Sequence, residues 1–286
     1  MKNLISFDFD HTIIDDNSDT WVAKCSDKML PDWLENSCRR GFWTEYMGRV
    51  FSYLGDQGIG AAEMETIMTS IPYTPGMIEL LTFIADHKDS FDCIIISDSN
   101  VVFIDWILKA ANLQGAIDKV FSNPAVFDNR GYLTVQCFHS HDCIECPVNL
   151  CKRKVLEDFL NHSKQQGLQY SKIIYVGDGR NDLCPLKCLK ENDIAMPRKG
   201  YALDKLVSRI CEHSLCLKPF VKVWSSGSEI LFHLKQLYKT CIKEACTFRV
   251  NCVLLPTSFT SPFACSFPVG VFSDYLKYSI TPWDIW

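Results

Sequence analysis

Four short apolar runs punctuate the chain, at residues 4–7, 92–97, 172–176 and 193–196. Each is too continuous for a half-solvated strand and too short for a buried helix, which predicts strands covered on both faces, as in a parallel sheet. Between them the apolar positions recur at helical spacing. Met77, Leu80, Leu81 and Ile84 share one face of a helix over 76–88, and Phe103, Ile104, Ile107 and Leu108 share one face over 100–112. Further helices are predicted over about 150–165 and over 228–238. Alternation of strand and helix predicts an α/β fold, a doubly wound Rossmann-like parallel sheet joined by helical crossovers.

Residues 13–74 interrupt this alternation. Asn17-Ser18-Asp19 offers helix caps, and Trp21, Trp33, Phe42, Trp43, Tyr46, Phe51 and Tyr53 follow in helical rather than strand patterns until Pro75-Gly76. This predicts a helical cap inserted into a core made of residues 1–12 and 75–240. Its aromatic rings read first as cap core, with one or two available to flank a ligand. Asn129-Arg130-Gly131, between Val126 and Leu133-Thr134-Val135, predicts a small hairpin. From residue 241 the chain turns to Phe, Cys, Ser and Pro, and Pro256, Pro262, Pro268 and Pro282 predict an irregular tail over 241–286.

With 286 residues, 47% of them hydrophobic, the chain can bury a full core. A net charge of −5 argues against a nucleic-acid partner, because no Lys and Arg stripe offsets the acids. No apolar run reaches the roughly 18 residues that a membrane span needs, and residues 1–12 lack a secretory signal pattern, so a cytoplasmic protein is expected. Fifteen cysteines, several in core-like runs such as Cys93-Ile94-Ile95-Ile96, are then expected as free thiols.

Chemistry concentrates at the strand ends. Asp8 and Asp10 follow the first strand and share one side by period-two alternation, Ser97-Asp98-Ser99-Asn100 follows the second, and Gly177-Asp178-Gly179-Arg180-Asn181-Asp182 follows the third. A D-x-D pair alone reads equally as a solvated strand end or a helix cap. Four carboxylates gathered at one sheet edge do not, since two unit charges about 4 Å apart repel by roughly 4 kcal/mol at an effective dielectric near 20. Asp8, Asp10, Asp178 and Asp182 therefore imply a divalent cation, and their hard oxygens favour Mg²⁺ over zinc. Magnesium in turn implies a phosphate, to which Ser97, helix-start amides and a lysine can donate. Of Lys152 and Lys154, which diverge on a helix, only one can face it.

These segments resemble the four motifs of the haloacid dehalogenase superfamily of phosphatases. Phe-Asp-Phe-Asp-His-Thr-Ile-Ile-Asp-Asp-Asn-Ser-Asp-Thr-Trp (7–21), Ile-Ser-Asp-Ser-Asn (96–100), Cys-Pro-Val-Asn-Leu-Cys-Lys (146–152), Gly-Asp-Gly-Arg-Asn-Asp-Leu-Cys-Pro (177–185) and Met-Pro-Arg-Lys-Gly (196–200) carry the likeness, narrowed to the phosphoethanolamine/phosphocholine phosphatase branch. It covers residues 1 to about 240. The resemblance implies that Asp8 is a nucleophile taking the phosphoryl group and that Asp10 is the acid and then the base. It implies Mg²⁺ held by the side chains of Asp8 and Asp178 and the backbone carbonyl of Asp10, with Asp182 contributing directly or through water. Lys152 matches the lysine ahead of the crossover helix. The implied substrate is a small phosphometabolite, pyridoxal 5'-phosphate first and phosphoethanolamine or phosphocholine second.

Asp19 and Asp98 have no metal duty and suit a cationic leaving group; a helix-dipole charge at Asp19 and a helix cap at Asp98 are the simpler readings. Asp15 and Asp16 read as a solvated turn and Arg198-Lys199-Gly200 as a loop feature. Cys137-x-His139-x-His141-x-Cys143-x-x-Cys146-x4-Cys151 has ligand-like spacing. One C-x-x-C without a second pair is a weak signal, and packed thiols are the first reading, with a zinc knuckle second. A phosphometabolite-binding protein without catalysis and a metal-dependent interaction protein are the rival classes. Both are disfavoured because Asp8, Asp10, Ser97, Lys152 and Asp178 are all present.

Overall fold

Strand β1 (Asn3–Phe7) is buried at every position and is paired on both edges, as its unbroken apolar run requires. The computed structural model describes residues 2–26, 29–212 and 217–253. After β1 come helical segments: α1 (Ser18–Trp21), a 3₁₀ turn at Val22–Cys25, α2 (Asp32–Glu35), α3 (Trp43–Asp56) and α4 (Ala61–Met68). Helix α5 (Met77–Asp86) follows, then β2 (Phe91–Asn100), α6 (Val101–Ala110) and β3 (Lys119–Asn123). The hairpin β4 (Ala125–Phe127) and β5 (Leu133–Val135) comes next, then α7 (Lys152–Gln165), β6 (Lys172–Gly177), α8 (Leu183–Leu186), β7 (Ile194–Pro197), α9 (Ala202–Glu212), β8 (Phe220–Val221) and α10 (Gly227–Val253).

The six-stranded sheet has the order β3-β2-β1-β6-β7-β8, and every pairing is parallel. From β1 the chain winds outward through β2 and β3, then crosses back to β6 on the other side. Ligands of open α/β sheets bind at such a reversal, beyond the carboxyl ends of the strands. The register brings Phe7 level with Val176 on one side and Ile95 on the other, so the segments after β1, β2 and β6 leave the sheet at one level. Beneath them, Leu150, Val155 and Leu156 pack against Ile94, Ile96, Phe121 and Tyr175. Full burial of each such side chain contributes about 1.5–3 kcal/mol.

The hairpin packs against α3. Tyr132, beside β5, lies so close to α3 that a Cβ on Gly55 would come within 2.6 Å of its ring, and its hydroxyl donates to Asp56 at 3.0 Å. Glycine at 55 is thus required by close approach.

The structure adds two edge strands that periodicity did not predict. β3 is half-exposed at its start and β8 is two exposed residues, so neither has the continuous apolar run of a central strand. Helix α10 also runs on to Val253, with no proline before Pro256 to end it, and so differs from the irregular path expected from residue 241. The rest of that expected tail, 254–286, lies outside the described residues. Among the described residues, one compact unit ends at His233 and a second begins at Leu234. Among the described residues no helix is long and apolar enough to cross a membrane.

Candidate active site

The ladder of β1 extends one residue past the strand, where Asp8 N–H donates to the Val176 carbonyl at 2.9 Å. The chain then coils tightly: the Phe9 carbonyl accepts from Thr12, Ile13 and Ile14, and His11 takes the left-handed conformation with φ of 52°. This turn delivers both leading acids to the cleft. Asp8 Oδ1 accepts from Phe9 N–H at 2.6 Å, and its Oδ2 faces Lys152 Nζ at 2.6 Å. Asp10 Oδ1 accepts from Ser18 N–H at 2.9 Å and its Oδ2 from Asn17 Nδ2 at 3.3 Å, so the start of α1 holds it.

Lys152 opens α7 and is wholly buried; its Nζ bridges Asp8 and Asp182, the second at 2.8 Å. Lys154 instead points out to Asp158 at 3.6 Å. Asp182 is saturated: Oδ1 also accepts from Tyr175 Oη at 2.7 Å, and Oδ2 accepts from Asp178 N–H and Gly179 N–H at 3.1 and 2.8 Å. Both of its oxygens are therefore committed to holding Lys152 and the loop after β6.

At the end of β2, Ser97 Oγ accepts from Ser99 N–H at 3.1 Å, which leaves its proton free to donate into the cleft. Asp98 accepts from Asn149 Nδ2 at 2.8 Å and from Asn181 Nδ2, while its carbonyl accepts from Asn123 Nδ2 at 2.6 Å. It does not cap α6. That role belongs to Asn100, whose Oδ1 accepts from Phe103 N–H at 3.1 Å. Asp19 lies in the first turn of α1, buried, and accepts from Trp43 Nε1 at 2.7 Å.

Negative charge dominates the site. Asp8, Asp178 and Asp182 each bring one carboxylate oxygen within 4.8 Å of the others. Burial, and then the nearness of Asp182, pushes Asp8 well above the usual carboxylate range, against the pull of Lys152. The same two causes push Asp178 up to about 7. Burial raises Asp10 to about 6 despite its hydrogen bonds from Ser18. For Asp19, burial and the neighbouring Asp10 raise the carboxyl to about 8. Burial would discharge Lys152, but Asp182, Asp8 and Asp98 hold it well above the ordinary lysine range. One ammonium does not balance this set, and the unsaturated oxygens of Asp8 and Asp178 are hard donors, so the site fits a hard divalent cation.

A cleft of about 280 Å³ lies above these groups. Asp8, Asp10, Asp19, Ser97, Asp98 and Asp178, all expected from the sequence, line it; Lys152 and Asp182 stand behind. Trp43, His11, Asn17 and Asn181 line it too and were not singled out as site residues. Trp43 was legible only as one of several cap aromatics, whereas Asn181 sat in plain view inside Gly-Asp-Gly-Arg-Asn-Asp. Asp15 lies in an exposed bend, as expected, and only the loop reading of Arg198 needs correction. Arg198 is buried, donates to the His11 carbonyl at 2.5 Å and pairs with Asp15, and so clamps the loop that follows the D-x-D pair.

The family described as "Putative Phosphatase" matches residues 3–238. Pyridoxal phosphate phosphatase PHOSPHO2 of Bos taurus is 57% identical over 240 residues, which cover 84% of this chain and 100% of the relative. Phosphoethanolamine/phosphocholine phosphatase of Homo sapiens is 39% identical over 240 residues, covering 83% and 90% of the two chains. A substrate-bound phosphoserine phosphatase complex superposes with a TM-score of 0.53 at 15% identity over 82% of this chain and 98% of that one, a likeness of fold. The parallel sheet, its carboxylate-lined edge and these relatives converge, and the chain belongs to this phosphatase family, as a phosphoric monoester hydrolase.

Proposed function

We propose that the chain is a Mg²⁺-dependent phosphomonoesterase that hydrolyses pyridoxal 5'-phosphate through an aspartyl phosphate on Asp8. The observation that carries this reading is the different treatment of two neighbouring carboxyls. Asp8 pairs with the Lys152 ammonium at 2.6 Å and faces Asp178 and Asp182, so although burial raises it too, a cation bound there would keep it ionised, whereas Asp10 has only neutral donors and rises to about 6. Two carboxyls in contrasting surroundings take contrasting roles. An Asp8 oxygen attacks phosphorus, the bond from phosphorus to the ester oxygen breaks, and Asp10 gives its proton to the departing oxygen. Asp10, now a carboxylate, takes a proton from the water that attacks the phosphoenzyme, which frees phosphate and Asp8. Ser97 Oγ–H and Lys152 neutralise the non-bridging oxygens. Asp8, Asp178 and the Asp10 carbonyl would hold Mg²⁺, which would supply positive charge to offset the repulsion between an anionic ester and these carboxylates.

Substrate choice rests on Asp19 and Trp43. Asp19 is buried beside Asp10 and Asp98 with one neutral donor, so a cationic group placed there supplies the missing counter-charge. The pyridinium of pyridoxal phosphate brings that charge in an aromatic ring, and the relative at 57% identity is named for this substrate. The same acid and aromatic pair favours one second reading, phosphoethanolamine or phosphocholine, whose cation also suits an aromatic face. The net charge of −5 supports a small phosphate ester over a nucleic acid, and the free thiols support action in the cytoplasm. The test is phosphate release from pyridoxal phosphate, phosphoethanolamine, phosphocholine and phosphoserine, with Mg²⁺ and after chelation. Highest kcat/KM on pyridoxal phosphate, lost on chelation and restored by Mg²⁺ alone, is expected; preference for phosphoserine, whose carboxylate Asp19 would repel, refutes the assignment to pyridoxal phosphate.

A further inference from the structure

The Cys-rich loop ahead of α7 gains in three dimensions the partner that it lacks in sequence. Cys143 and Cys146 lie in that loop, Cys151 is the residue before α7, and Cys184 sits on α8. Their four Sγ atoms all lie within 4.8 Å of one another, with Cys143 and Cys184 at 3.8 Å. A disulfide would need about 2.05 Å, and all four are free. Around zinc, a Zn–S bond of about 2.3 Å in tetrahedral geometry sets sulfur atoms about 3.8 Å apart.

The surroundings are built for the same purpose. His139 and His141, whose spacing suggested ligands, are used on the backbone instead. His139 Nε2 accepts from Cys151 N–H at 3.0 Å, His141 Nδ1 accepts from Cys143 N–H at 3.2 Å, and His141 Nε2 donates to the Pro147 carbonyl at 2.8 Å. They fix the loop and leave an all-sulfur donor set. Cys137 is exposed and stands outside the cluster. Four thiolates on Zn²⁺ carry a net charge of −2, and the Arg153 guanidinium lies within Coulombic reach of Cys184, Cys143 and Cys151. Its buried Nε has no hydrogen-bond partner among the described residues.

We propose that Cys143, Cys146, Cys151 and Cys184 bind one Zn²⁺ in a closed tetrahedral site, separate from the carboxylate cleft. Binding releases four thiol protons to solvent and forms four Zn–S bonds, with no change of oxidation state. Four protein ligands leave no open position, so the ion is structural. Its placement gives it work: Cys151 immediately precedes Lys152, and Cys184 follows Asp182 by two residues. The zinc therefore ties together the two segments whose side chains meet in the 2.8 Å Lys152–Asp182 pair.

The experiment measures metal in the full chain, purified without chelator from zinc-supplemented cells and dialysed. One equivalent of zinc per chain is expected, and replacement by Co²⁺ should give thiolate-to-cobalt charge-transfer bands with the strong visible bands of tetrahedral coordination. C143S and C184S should lose the metal, while C137S and C188S keep it. Should the first two fail to fold, the wild-type stoichiometry and cobalt spectrum still decide. A wild-type chain that takes up neither zinc nor cobalt under reducing conditions, or that carries a disulfide between two of the four cysteines, overturns the proposal.

Discussion

Lys152 Nζ lies 2.6 Å from the Asp8 carboxylate, and the same ammonium is held from behind by Asp182 at 2.8 Å. The lysine thus serves two carboxylates with no water between. Replacing it with methionine strands both acids, and losing one partner of a buried ionic set costs about 3–5 kcal/mol. K152M should lose that much in a denaturant melt, recover part of it with Mg²⁺, and lose nearly all turnover. K154M, whose partner Asp158 is exposed, should stay within about 0.5 kcal/mol of the parent. Equal losses from the two variants would remove Lys152 from the site.

Asp8 and Asp10 should fail differently. D8N leaves a folded chain without turnover, because an amide neither attacks phosphorus nor balances the cation. D10N retains the attacking group, so it should turn over slowly on alkyl esters and less slowly on aryl phosphates, whose leaving group needs no proton. Phosphoenzyme should accumulate in D10N and be detectable by intact-mass measurement after acid quench. Substantial activity in D8N would refute covalent catalysis.

Asp19 gives a pH-dependent stability of defined sign. Its folded value of about 8 stands above the ordinary 3.8, so the folded state holds a proton that the unfolded state has released. That contribution is complete below about pH 4 and is lost as pH rises to about 8, with a limiting slope of ~1.4 kcal/mol per pH unit. D19N, which can still accept from Trp43, lacks this loss. In melts without added Mg²⁺, the advantage of D19N over the parent should grow from pH 5 to pH 8 and then level off. A difference that does not vary with pH would show that Asp19 is ionised throughout.

Kinetics should separate Asp19 from Asp98. D19A should raise KM for pyridoxal phosphate, phosphoethanolamine and phosphocholine while sparing a neutral aryl phosphate, the pattern of lost ground-state binding. D98A removes the acceptor shared by Asn149 and Asn181 and should lower kcat on charged and neutral substrates alike. Matching profiles for the two variants would return Asp19 to a structural role.

Arg198 should prove to be a positioning residue. R198A frees the His11 carbonyl and Asp15, loosening the loop after Asp10, so kcat should fall more than KM changes. R198K should rescue little, since an ammonium cannot make both contacts in the plane of a guanidinium. Full rescue by lysine would mean that only the charge matters.

Much of this was legible along the chain because it depends on local repetition. Continuous apolar runs announced the central strands and 3.6-residue spacing announced the crossover helices; Asp8 and Asp10 were legible as acids just beyond β1, although a tight turn rather than period-two alternation brings both to the cleft. The divergence of positions i and i+2 on a helix showed that only one of Lys152 and Lys154 could face the phosphate; the structure turns Lys152 inward and Lys154 outward. Edge strands β3 and β8 escaped because half-exposed pairing leaves no such periodic mark. What the tertiary structure alone decided are the meetings of distant residues. Arg198 reaches the loop after Asp10, Asn149 and Asn181 converge on Asp98, Trp43 of α3 meets Asp19 of α1, and Cys184 completes the thiol cluster begun at Cys143. None of these follows from spacing. They are consequences of the strand order β2-β1-β6, which sets three chain segments at one edge of the sheet, and of burial, which makes each charge or polar group there find a partner from another segment.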